Sequence, residues 1–237
     1  MLQRYTPTQL LILGGVLLLF LYSFAPTLFS GGLFDMDGLA WRVIGLVIGI
    51  SVHEACHALA AVRLGDPTPR MMGRLTLNPL AHLDPMGTLL IFVAGFGWGK
   101  PVTFNPRNLR GDPHTGSAIV SVAGPVSNLI VAFLAAIPLR GDGVDSPMLA
   151  GLLGGIVIVN VSLAVFNLIP VPPLDGFGLL TGLLPRSFVP VMEPLRQYGP
   201  LILLALVFLP SLTGGVVPNV LFMIMGPAVR FLLGLML

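Results

Sequence analysis

Apolar residues in this chain fall into long runs separated by short polar stretches. About 20 apolar residues in a helix cross a hydrocarbon core roughly 30 Å thick. Six segments meet that measure, near residues 10–29, 39–63, 115–138, 149–169, 197–212 and 216–236. The pattern predicts an all-α polytopic membrane protein of about six transmembrane helices. The first run has the outline of a secretory signal, with Arg4 ahead of it and Ser23-Phe24-Ala25 resembling a cleavage site. Pro26 directly after that site disfavours cleavage, so residues 10–29 read as a retained helix.

The polar stretches orient these helices. The longest connection, 64–114, carries Arg70, Arg74, Lys100, Arg107 and Arg110 against Asp66, Asp84 and Asp112, and an excess of basic residues marks the cytoplasmic side. Segments 30–38, with Asp35 and Asp37, and 139–148, with Asp142 and Asp145, are then external, while 184–196 returns with Arg186 and Arg196. Both termini are expected to be cytoplasmic. Inside the long connection, residues 86–98 are apolar but too short to span, and they run into the Gly- and Pro-rich stretch GWGKPVTFNP. Backbone at membrane depth needs its hydrogen bonds satisfied, so a re-entrant or interfacial β-hairpin-like segment is expected near 86–104. No polar stretch is long enough for a soluble domain and there is no internal repeat. Residues 1–237 read as a single integral membrane domain, with a core at 39–185 and a C-terminal helix pair at 197–236.

Composition agrees, with 55% hydrophobic and 9% charged residues, against about a quarter charged in soluble domains. The single cysteine, Cys56, excludes a disulfide framework and a Cys-rich metal site, so any metal is held by His and carboxylate. A net charge of +2 without aromatic-interleaved basic clusters gives no case for nucleic-acid binding.

Candidate chemistry lies in the second span, at Val52-His53-Glu54-Ala55-Cys56-His57, an HExxH pattern. At about 100° per residue, His57 lies about 40° around the helix from His53 and Glu54 about 60° from His57, so the three share one face. Two imidazoles so spaced can hold one zinc ion, with Glu54 beside an open position to take a proton from water. A carboxylate near the bilayer centre costs about 2.5 to 3.5 kcal/mol on insertion scales, so its presence there signals function. A catalytic zinc needs a third protein ligand. The candidates are His82, His114, Asp175 and Glu193, and only Asp175 sits at the break of a membrane span. Around it, in NLIPVPPLDG, Pro170, Pro172 and Pro173 forbid a continuous helix.

HEACH followed more than 100 residues later by NLIPVPPLDG resembles the site-2 protease family of intramembrane zinc metalloproteases. Ala123-Gly124-Pro125-Val126-Ser127-Asn128 in the third span is similar too, as are LTLNPLAHLDPMGTL at 75–89 and GWGKPVTFNPRNLR at 97–110, which resemble the compact prokaryotic branch. The likeness runs from about residue 45 to 185. It implies one catalytic Zn2+ held by His53, His57 and Asp175, Glu54 as general base, and Asn167 near the reacting carbonyl. It further implies a metalloendopeptidase that cuts transmembrane segments of single-span membrane proteins, seated in a prokaryotic plasma membrane. Many relatives carry a PDZ or CBS domain and this chain has neither, which leaves regulation to a separate membrane protein.

Asn128 reads as an interhelical hydrogen-bond partner and stands with Gly97 and Gly99 as a candidate substrate contact. His82 and Asp84 read as loop-ordering residues, His114 as solvated and Cys56 as a packed thiol. The site is expected six to ten residues before Arg63, about 9 to 15 Å from the cytoplasmic end of its helix. Two rivals share parts of the pattern. A ZIP-like zinc transporter also puts HExxH in a membrane helix but needs metal ligands on a neighbouring one. A membrane gluzincin of the prenyl-protein protease kind uses a glutamate as third ligand, for which this chain offers Glu193.

Overall fold

The computed structural model describes residues 36–84, 99–141 and 143–237. Among these the chain forms seven α-helices and no strand: α1 (Met36–Arg63), the one-turn α2 (Thr68–Met71), α3 (Pro113–Ala136), α4 (Pro147–Asn167), α5 (Asp175–Leu183), α6 (Val189–Leu212) and α7 (Val220–Met236). Helices over Ala40–Arg63, Pro113–Arg140, Pro147–Asn167 and Arg186–Pro210 are long and apolar enough to cross a membrane. The chain is therefore an integral membrane protein. The expected span at 10–29 and the apolar stretch at 86–98 lie outside the described residues. At the edges of that stretch, Leu83 and Gly99 form a single antiparallel bridge and Lys100 N–H donates to His82 O at 2.6 Å.

Local chemistry sets the ends of the spans. Asp112 accepts from Thr115 N–H and Ser146 from Leu149 N–H, and Pro113 and Pro147 follow at the first helical position, where a missing N–H costs nothing. α4 stops at Asn167, ahead of Pro170.

Two expected helix boundaries need correction. Residues 189–196, read as a loop, are the first turns of α6, which carries Pro194, Pro200 and Pro210 within it; membrane helices tolerate prolines that neighbouring groups re-satisfy. The last helix starts at Val220 rather than 216 and has 17 residues, about 25 Å of rise and short of a full crossing. Gly214 and Gly215 take positive φ, and Asn219 caps α7 by accepting from Phe222 N–H at 2.9 Å. These local preferences hold residues 213–219 out of the helix.

α1, α3 and α4 pack on one another, and α5 lies along α3. Lipid is as apolar as the helices, so close approach through small residues supplies the association. A Cβ on Gly45 would stand 2.9 Å from Gly155 O, and on Gly178 and Gly182 it would meet Ser121 Oγ at 2.2 Å and Ala118 Cβ at 2.5 Å. Ala132, Ala136, Val157, Val161 and Met236 form the buried core beyond the site.

Met236 in that core fixes where α7 ends. Arg140 Nε donates to Met236 O at 2.6 Å, and its Nη2 donates to Leu235 O. At its start α7 packs Leu221 and Met225 on the cluster of Ile169, Leu174 and Leu203. The C-terminal end of α7 and the 139–148 connection thus lie at one end of the bundle, whereas loop charges put them on opposite sides.

Candidate metal centre

The helical spacing in α1 puts the His53 and His57 rings edge to face, their centroids 4.5 Å apart at 86°. Their Nε2 atoms lie 3.0 Å apart. Asp175, the first residue of α5, brings Oδ2 to 3.0 Å from His53 Nε2 and 3.2 Å from His57 Nε2. Among the described residues these three form a group able to hold a metal ion. Both imidazoles are buried, while the Asp175 side chain is 20% exposed, which leaves a side open.

Neighbouring backbone makes room for this convergence. Glycine is required at 124 because α3 runs hard against the imidazoles: a Cβ there would lie 2.4 Å from His57 Nε2 and 2.6 Å from His53 Nε2. Glycine is required at 176 because the chain doubles back through the proline-rich break: a Cβ would lie 2.2 Å from Leu168 O. The break turns on short-range hydrogen bonds, Val171 N–H to Ile169 O and Leu174 N–H to Val171 O. It delivers Asp175 at the N-terminus of α5, where the helix dipole favours a carboxylate.

Each ring has its second nitrogen engaged. His57 Nδ1 faces Val120 O at 2.7 Å; a carbonyl only accepts, so Nδ1 carries the proton and Nε2 a lone pair. His53 Nδ1 donates in the same way to Asn128 Oδ1 at 2.7 Å. With both rings neutral, two imidazole lone pairs and a carboxylate oxygen meet, an arrangement that a cation between them makes favourable. Zinc bonds of about 2.0–2.1 Å at tetrahedral angles separate ligand atoms by about 3.3 Å, close to the spacing found. The donor set fits one zinc ion.

Glu54 is half-buried, and its Oε2 accepts from Val102 N–H at 2.9 Å. The segment that supplies this N–H is tied down by Asp66, fully buried just past the end of α1. Asp66 accepts from Thr68 N–H and Oγ1–H, from Asn105 N–H at 2.6 Å and from Asn108 Nδ2 at 2.9 Å. Burial would raise the Asp66 carboxyl, but these hydrogen bonds outweigh it and hold it below the usual carboxylate range.

The other expected residues make contacts of their own. Asn167 ends α4 half-buried, its amide donating to Leu163 O at 3.0 Å. Asn128 is fully buried behind His53 rather than on an open surface. Gly99 sits at the Leu83 bridge, where a Cβ would meet His82 O at 3.0 Å, and Gly97 lies outside the described residues. His82 is fully buried and donates from Nε2 to Thr76 O at 2.8 Å, ordering its loop. His114 and Glu193 line a separate cavity of about 250 Å³ with Arg196, so Glu193 does not meet the histidines. Cys56 is a free, half-buried thiol. Sequence reasoning missed the close approach at Gly124, the Asp66 anchor and Asn160, a fully buried amide bonded to Asn128. Asn160 carries the signal that marked Asn128 and Asn167, a polar residue in an apolar span.

A His-His-Asp group inside a bundle of membrane-length helices, beside a glutamate, defines a membrane metallohydrolase. The chain belongs to the site-2 protease family of zinc metalloproteases and is by that membership a metalloendopeptidase. It is 40% identical over 187 residues to "Putative zinc metalloprotease YwhC" of Bacillus subtilis, covering 75% of this chain and 84% of the relative. It is 33% identical over 175 residues to "Putative zinc metalloprotease Rip2" of Mycolicibacterium smegmatis, covering 72% and 67%. To the protein of the same name in Mycobacterium tuberculosis it is 31% identical over 177 residues, covering 73% and 68%. No family model and no solved structure matches the chain.

Proposed function

We propose that this protein hydrolyses peptide bonds within the transmembrane segments of single-span membrane proteins, using one zinc ion held by His53, His57 and Asp175. The observation that carries the reading is the meeting of those three ligand atoms within 3.2 Å of one another, with both histidines inside a membrane-length helix. A zinc ion bound there supplies Lewis acidity, toward the substrate carbonyl and toward water. Glu54 accepts a proton from the attacking water at its carboxylate and delivers it to the leaving amide nitrogen. The Val102 N–H on Oε2 holds that carboxylate in place and leaves its other oxygen for the proton. Asn167 turns its amide from Leu163 O toward the oxyanion once substrate is bound.

A helical substrate hides its scissile bond in hydrogen bonds and has to unwind locally. The released strand pairs as an added strand with the 90–104 segment, of which the described part begins at Gly99. The mouth of the site faces the cytoplasmic side of a prokaryotic plasma membrane, and the basic residues in 64–114 support that side. A separate membrane protein regulates access.

Glu54→Gln tests this directly. Purified with a single-span substrate in detergent, the variant should lose cleavage by about 10²- to 10⁴-fold, keep its zinc, and capture single-span proteins from the native membrane. Transport of radioactive zinc into vesicles by the reconstituted protein, unaffected by Glu54→Gln, would overturn the reading in favour of a transporter.

A further inference from the structure

Asn160 sits in α4, has no solvent exposure, and directs its hydrogen bonds to Asn128, Gly45 and Ile156 rather than to the three metal-binding side chains. Both donors and the acceptor of its amide are nonetheless engaged. Nδ2 donates to Ile156 O at 2.9 Å and to Gly45 O at 3.3 Å, and Oδ1 accepts from Asn128 Nδ2 at 2.9 Å. Asn128 Nδ2 also donates to Gly49 O at 3.1 Å, and Asn128 Oδ1 faces His53 Nδ1 at 2.7 Å.

We infer that Asn160 is a positioning residue that selects the tautomer of His53, and with it the ring nitrogen presented to zinc. The inference rests on His53, His57 and Asp175 being a zinc site. A carbonyl oxygen can only accept, and Ile156, Gly45 and Gly49 present carbonyls in directions fixed by their helices. Turning the Asn160 amide over would set its oxygen against Ile156 O and Gly45 O, so its NH2 stays on that side and its oxygen faces Asn128. Turning Asn128 over would set oxygen against Gly49 O and against Asn160 Oδ1, so its oxygen faces His53. His53 must then donate from Nδ1, which leaves the Nε2 lone pair toward Asp175 and His57. The order runs one way, from three main-chain carbonyls through two amides to one imidazole.

His57 reaches the same tautomer by a shorter route, directly from Val120 O. The two rings are therefore held differently, and a change at Asn160 acts on one of them. Without Asn160, Asn128 loses one of the two partners that fix its NH2 and is held by Gly49 O alone, so turning over to offer His53 a donor becomes less costly. His53 would then keep its proton on Nε2, where zinc needs a lone pair.

The test uses the full chain in detergent with ¹⁵N-labelled imidazoles, zinc-free and zinc-loaded. With four histidines in the chain, the long-range ¹H–¹⁵N spectrum can be assigned by single substitutions. In the zinc-free wild type, at a pH where both rings are neutral, His53 and His57 should both carry their proton on Nδ1. In Asn160→Leu, His53 alone should become a mixture of tautomers while His57 keeps its form, and zinc affinity by chelator competition should fall about 10- to 100-fold. Where Asn160→Leu does not fold, Asn160→Ala also withdraws the acceptor from Asn128 and should give the same selective change. His53 remaining wholly Nδ1-protonated in the folded variant, or His53 and His57 changing alike, would overturn the inference. Failure of the wild type itself to bind zinc through His53 would sink the metal-site reading instead.

Discussion

A hydrogen atom is the largest side chain that position 124 admits. Its Cα belongs to α3, held in place by the packing of that helix on α1 and α4, so a methyl group there cannot back away from rings 2.4 to 2.6 Å off. Gly124→Ala should stay folded and helical yet lose zinc affinity by at least about tenfold, read by chelator competition; unchanged affinity would contradict the placement of α3. This residue also shows where sequence reading stops. The spacing of His53 and His57 is legible because both ride one helix, and Asp175 is legible because three prolines mark a broken span. The need for glycine at 124 arises only when two helices distant in sequence meet, and Asn160 matters only because its amide happens to reach Asn128. The charge and burial of Asp66 are likewise unremarkable until residues 105 and 108 close on it.

At the scale of elements, helix starts were largely legible because polar caps followed by proline encode them, as at Asp112-Pro113 and Ser146-Pro147. The N-terminal turns of α6 were not, because Pro194 and Arg196 look like loop residues until Val189–Leu212 is seen as one helical run. The segment from Gly99 to Asn108 has little regular structure and depends on Asp66 for its position beside Glu54. Because the Asp66 carboxyl is lowered in the folded chain, its ionised form favours the fold. That contribution is complete above its ordinary value of about 4 and fades as pH falls through the lower folded value. Hydrogen exchange at the Asn105 amide should stay protected from about pH 7 to 5, after correction for intrinsic rates, and lose protection below about pH 4. Asp66→Asn should lower protection at neutral pH and flatten that dependence. An unchanged profile in the variant would show that the anchor lies elsewhere.

At the scale of the whole molecule, charge counting and packing disagree about one end of the chain. The positive-inside pattern is a statement about short loops, and it carries no information on a final helix of 17 residues, short of a full crossing. Burial of Met236 against Ala132 and Ala136, with Arg140 on the last carbonyls, supplies that information. In a Cys56→Ala background, Gly143→Cys and Leu237→Cys should react with an impermeant maleimide from the same side of the membrane and Arg107→Cys from the other. Labelling of residue 237 together with 107 would contradict the packing of α7.

The central claim is that a zinc site within this bundle cuts peptide bonds at membrane depth. Its most direct test is mass-spectrometric mapping of the cut made in a single-span substrate by the purified protein in lipid vesicles. The account predicts one or a few cuts inside the apolar segment, lost on zinc chelation, restored by zinc, and absent in Asp175→Ala. Cuts confined to the soluble flanks, or cuts inside the segment that persist in Asp175→Ala, would contradict it.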